Sequence, residues 1–145
     1  MASVQSLFTG KTKPGLYRLR SGVKDEVIER LAKEYDWRVV RVNGDKISDK
    51  ASFIRVMGKA LDFPDYSAAN WDAFEESLRD LSWLAGKGVV VVYDEPSRFA
   101  ATDGKAWEIA RDILSDAPKV LQTNDKTLAI LFRRAGRALP DVPWL

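Results

Sequence analysis

The sequence predicts an α/β fold on a mainly parallel sheet, and three observations carry the prediction. Short β-branched runs alternate along the chain with segments of helical periodicity. One run, Val89 to Tyr93 (VVVVY), is apolar without interruption, as in a strand buried on both faces. The segments between the runs are long enough for the crossover helices that parallel neighbours require.

The elements follow in order. Residues 1–13 lack periodicity and are expected to be flexible. Gly15 to Arg20 (GLYRLR) alternates weakly and is assigned as a strand. Val23, Val27, Ile28 and Leu31 recur at helical spacing, which predicts a helix over 23–35. Trp37 to Val42 (WRVVRV) is a second strand, ended by the turn pair Asn43-Gly44. Phe53, Val56, Met57 and Ala60 share one face of a helix at about 49–60, with Ser48 or Asp49 as its cap. Pro64 breaks that helix. Asn70 is the expected N-cap of the next, at about 70–84, whose apolar stripe is Trp71, Phe74, Leu78 and Leu81 and which Gly86 and Gly88 close. After the VVVVY strand, residues 94–102 are expected as a loop containing Pro96. Ala106, Ile109, Ala110, Ile113 and Leu114 define a helix over about 103–116, with Pro118 beyond its end. Thr127 to Phe132 (TLAILF) is the last strand, and 133–145 is a basic, Pro-containing tail, expected to be flexible.

A chain of 145 residues suits a single domain with one core. Hydrophobic residues make up 46% and charged residues 30%, with both signs interspersed, which describes a folded chain rather than a disordered one. No apolar run approaches a membrane span, and the N-terminus has no stretch suited to a signal peptide, so a cytoplasmic protein without membrane contact is expected. The chain has neither cysteine nor histidine. That excludes disulfides, thiolate nucleophiles and sulfur-ligated metal, and removes the commonest general base. No metal, cofactor or catalytic residue is expected.

Two basic motifs carry little. Gly10-Lys11-Thr12 resembles the end of a phosphate-binding loop, but Gln5 stands where that loop needs glycine and Pro14-Gly15 follow where it needs a helix. Arg133, Arg134 and Arg137 suggest a solvated end rather than a nucleic-acid surface, so no direct nucleic-acid binding is expected.

The informative segment is FPDYSAANWDAFEESLRDL, residues 63–81. Residues 62–80 hold six acids and one base, a local charge of −5 in a chain of +2, so the remainder sums to +7. Asp72 and Glu76 lie four apart on one helix face, with Glu75 and Asp80 flanking. Asp72 gains from the positive end of the helix dipole, whereas the later acids gain little and repel one another. Charge alone leaves a solvated exterior and an anionic recognition surface level, with carboxylate acid–base chemistry behind both. Tyr66, beside small Ser67, Ala68 and Ala69, tips the balance towards recognition, since tyrosine is a preferred interface anchor.

This segment resembles the centre of the barstar family, intracellular inhibitors of barnase-type ribonucleases. The resemblance rests on Pro64, Tyr66, Asn70, Asp72, Ala73, Glu76, Leu78 and Asp80-Leu81, and extends with VRVNGDKI (40–47) and VVVVYDEPSRF (89–99) over about 38–132. It implies a three-layer fold whose sheet has three to four strands, with the 15–35 unit as an addition. It also implies a protein partner: a basic ribonuclease whose active site the acidic helix and loop plug, carboxylates standing in for RNA phosphates. The implied partner-binding residues are Tyr66 at the rim, Asn70 shaping the loop, and the acids Asp72, Glu75, Glu76 and Asp80. Glu76 stands where the best-known member has an aspartate, and Glu75 where it has a tryptophan. The expected function is inhibition by a monomeric binding protein rather than an enzyme. A binding module for another basic partner, or more remotely a carboxylate-dependent enzyme, stays open.

Overall fold

The computed structural model describes residues 2–64 and 70–145. Its centre is a four-stranded, all-parallel sheet of β1 (Leu16–Arg18), β2 (Trp37–Asn43), β3 (Gly88–Asp94) and β4 (Thr127–Arg133), in spatial order β1-β4-β3-β2. The sheet register sets Val39 beside Val90 and Val90 beside Ala129. β3 and β4 occupy the middle, which explains their unbroken apolar sequences: side chains of both faces are buried. The N-terminal unit adds β1 as an edge strand against β4, at the opposite edge from β2.

Among the described residues six α-helices cover the two faces: α1 (Val4–Thr9), α2 (Asp25–Glu34), α3 (Lys50–Ala60), α4 (Trp71–Leu78), α5 (Ser97–Thr102) and α6 (Gly104–Gln122). On one face, Val90, Val92, Ala129 and Leu131 pack with the apolar sides of α1 and α2. On the other, Val89, Val91, Tyr93, Leu128, Ile130 and Phe132 pack with α3, α4, α5 and α6. The result is the expected three-layer α/β architecture.

Several local expectations are corrected. Residues 2–13 are not a loose end: Val4, Leu7 and Phe8, at helical spacing, bury one side of α1, and Phe8 meets Trp37 edge-on at 4.8 Å. Ser3 and Ser6 cap that helix reciprocally, and Gly10 closes it in the left-handed region at φ 86°. Gly10-Lys11-Thr12 therefore lies between a helix and a strand, the reverse of the order a phosphate-binding loop needs. The 94–102 loop contains α5, anchored by fully buried Phe99 against Phe53 and Trp107. Pro118 lies inside α6, which continues to Gln122. Proline in a helix interior costs about 3 kcal/mol, but Ala117, Pro118 and Leu121 extend the buried stripe, and that packing offsets the lost hydrogen bond.

The 133–145 tail is also packed. Ala135, Leu139, Val142 and Leu145 are buried, and Leu145 N–H donates to the Arg18 carbonyl at 2.9 Å. Trp144 pairs with Arg18 in a parallel bridge, so the tail covers the outer edge of β1. Glycine at position 44 is set by close approach rather than by a turn dihedral. A Cβ there would stand 2.1 Å from the Asp94 carbonyl oxygen and 2.3 Å from that of Glu95.

Candidate functional site

α4 begins directly after Asn70, whose own backbone is extended. Its side-chain oxygen accepts the N–H groups of Asp72 at 2.8 Å and Ala73 at 3.3 Å, satisfying two donors the helix cannot pair itself. The inward side of the helix is Phe74 and Leu78. Phe74 packs against Phe53 at 5.1 Å and Phe63 at 5.6 Å between ring centroids. Trp71, expected in the same stripe, is half-buried at its margin, with the Lys50 ammonium 5.7 Å over its ring. Beyond the helix, the Trp83 indole N–H donates to the Leu61 carbonyl at 2.9 Å and ties the following turn to the end of α3. The acidic segment thus stands on a rigid base.

The helix is shorter than its sequence suggests. It ends at Leu78, and Leu81 turns into the left-handed region at φ 51° while staying fully buried. Asp80 therefore leaves the helix face and accepts the Ser82 N–H at 3.3 Å. Short acids compete with a helix through such local hydrogen bonds, which accounts for the early stop.

The acids of the segment divide by partner. Asp62 pairs with Arg38 at 3.3 Å. Glu75 is half-buried and lies 3.9 Å from Arg79, one turn later. Asp80 is engaged by the backbone. Asp72 and Glu76 are exposed, one turn apart, and no cation among the described residues forms an ion pair with either. Asp72 also sits in the first turn, where the helix dipole favours it. Asp65 and the predicted anchor Tyr66, with Ser67, Ala68 and Ala69, lie outside the described residues. Chemically, Asp72 and Glu76 form an acceptor-only surface suited to guanidinium or ammonium donors. In the sequence Glu75 and Asp80 stand only as acids flanking Asp72 and Glu76; the four-residue spacing of Glu75 and Arg79 is the signal that could have shown their pairing.

A family model described as Barstar (barnase inhibitor) matches residues 37–133. The chain belongs to the barstar family. The barstar match opens at β2, closes at β4 and contains the whole of α4. α1, β1, α2 and the tail after Arg133 lie outside it, so the fourth strand is an addition to the barstar unit. Among solved structures the fold resembles the Aeropyrum pernix ORC2 protein in its ADP form, with a TM-score of 0.66 and 9% identity over 97% of this chain and 45% of that one. It also resembles that protein in its ADPNP-ADP complexes, with a TM-score of 0.62 and 13% identity over 94% and 40% of the two chains. The chain spans less than half of each, and the likeness is one of fold alone. No curated protein matches it by sequence. No helix among the described residues is long and apolar enough to cross a membrane.

Proposed function

We propose that this protein binds and inhibits a basic ribonuclease of the barnase type, offering the outer face of α4 and the preceding loop in place of RNA phosphates. One observation carries the reading: Asp72 and Glu76 stand exposed and without an ion-pair partner among the described residues, on a helix whose other side is locked into the core. Unpaired carboxylates keep their acceptors free, and on a helix already packed into the core little backbone freedom is lost when a partner arrives. The family description, barnase inhibitor, and a match that includes α4 support the same partner class. An enzyme would instead set two carboxylates within a cleft that separates their pKa values, and these two stand on an open face.

The test is calorimetric titration against a panel of barnase-type ribonucleases at low and moderate salt, with RNA cleavage assayed in parallel. The expected result is stoichiometric binding that abolishes cleavage and weakens as salt rises. Absence of both heat and inhibition across the panel would reject the reading and leave a barstar-family module with another partner.

A further inference from the structure

The four strands point their carboxyl ends the same way, but the chain does not leave them the same way. After β2 it passes to α3, after β3 to α5 and α6, and after β4 to Ala135, Leu139 and Val142, all in the larger core. After β1 it crosses instead to α2, on the opposite face. Because β1 and β4 are neighbours, the chain parts to opposite sides between them. In parallel sheets such a parting opens a crevice beyond the carboxyl ends, and ligands bind there.

A cavity of about 770 Å³ occupies this place, within the size range of small-molecule sites. Leu19, Arg20 and Ser21 line it from the end of β1, Trp144 from the tail along the outer edge of β1, and Arg133 and Arg134 from the β4 side. No carboxylate lines it among the described residues. Arg133 is pinned by the Val23 carbonyl and Asp25, each at 2.9 Å, and Arg134 by Asp94 at 2.7 and 2.9 Å. Each guanidinium carries five N–H donors, so both keep donors to spare while their orientation is fixed. Arg20 is exposed and makes no side-chain hydrogen bond or ion pair among the described residues. Its guanidinium lies 5.7 Å from the Trp144 ring centroid. Trp144 is 43% exposed, an unusual state for so large an apolar side chain.

We propose that this crevice binds a small phosphate ester, with the phosphate held by Arg20, Arg133 and Arg134 and the organic part set beside Trp144. Guanidinium forks match phosphate oxygens in pairs, and the cavity exceeds what phosphate alone would fill. The site is separate from α4, so its failure would leave the ribonuclease reading untouched.

Phenyl phosphate is the probe, titrated into the ¹⁵N-labelled full chain while the Trp144 indole N–H resonance is followed. Trp144→Phe assigns that resonance. A saturable shift is expected with phenyl phosphate and not with phenol. Arg20→Ala should weaken binding about ten-fold or more, the usual share of one charge-assisted hydrogen bond. Lys105→Ala, a charge removed elsewhere, should leave it unchanged, and an otherwise native spectrum shows each variant folded. No saturable shift, or equal affinity in Arg20→Ala, would overturn the proposal. Inorganic phosphate binding as tightly as phenyl phosphate would overturn the role given to Trp144. A response to an RNA oligonucleotide alone would replace the proposal with a nucleic-acid surface.

Discussion

The side-chain oxygen of Asn70 accepts the backbone N–H of Asp72 at 2.8 Å, joining the cap of α4 to an acid that has no ion-pair partner among the described residues. Loss of this cap acts on stability and on the acidic face together. Asn70→Ala is expected to destabilise the fold by about 1 kcal/mol, measured by urea unfolding. Asn70→Asp should retain most of that stability, since both side chains accept from the same amides. Equal stability of Asn70→Ala and the native protein would mean that the cap is replaced by solvent.

The division of the acids by partner ranks their importance for binding. Glu76→Ala and Asp72→Ala should each weaken a cognate ribonuclease complex by about 2–5 kcal/mol, as expected for charges desolvated against a basic partner. Asp80→Ala, already engaged by its own backbone, should cost about 1 kcal/mol or less. Calorimetry on the three variants decides it. A change of no more than a few tenths for Glu76→Ala removes that residue from the interface. Folding should be unaffected, because both acids are exposed.

Gly44 is expected to tolerate no side chain. The atoms a Cβ would meet are backbone carbonyl oxygens of Asp94 and Glu95, which cannot rotate away. Gly44→Ala should therefore cost about 1–3 kcal/mol or more. Gly104→Ala, with open space around its Cβ, serves as the control. Equal urea midpoints for the two variants would show that the 44–46 turn shifts freely.

Tyr93 is fully buried, and among the described residues its hydroxyl has no hydrogen-bond partner. Burial pushes its phenol pKa well above the ordinary value. An unsatisfied buried hydroxyl costs about 1–3 kcal/mol. Tyr93→Phe should thus leave stability unchanged or raise it, with the ring contacts to Phe53 and Phe132 kept. A clear loss of stability on thermal unfolding would reveal a partner for the hydroxyl.

The sheet and the acidic helix were legible because their signals are local. VVVVY and TLAILF announce central strands by unbroken apolarity, and Asn70 announces a helix start by its chemistry. α1 was missed because Val4, Leu7 and Phe8 make less than two turns, too few to stand out at a terminus. α5 was missed for the same reason, its one anchor being Phe99. Pro118 misled because proline breaks helices unless tertiary packing compensates, and packing is not visible in one segment. The arginines at and after the end of β4 looked like a solvated end. In fact Arg133 reaches Asp25 and Arg134 reaches Asp94, partners far away in sequence. For the same reason, which acids of the 62–80 segment remain unpaired could not be foreseen: Asp62 is matched by Arg38 across the fold.

The spatial order β1-β4-β3-β2 has a consequence for synthesis. The strand made last among the four fills the slot between the first and the third. Until Thr127–Arg133 leaves the ribosome, Leu16–Arg18 has no neighbour to pair with and β3 lacks one of its two. The apolar sides of α1 and α2 meanwhile have no complete sheet to cover. Closure of both layers must therefore wait until residues 127–133 have been made, and until then the nascent chain carries exposed apolar surface. Slow elongation between β3 and β4 would extend the period in which chaperones, rather than the fold itself, shield these apolar faces.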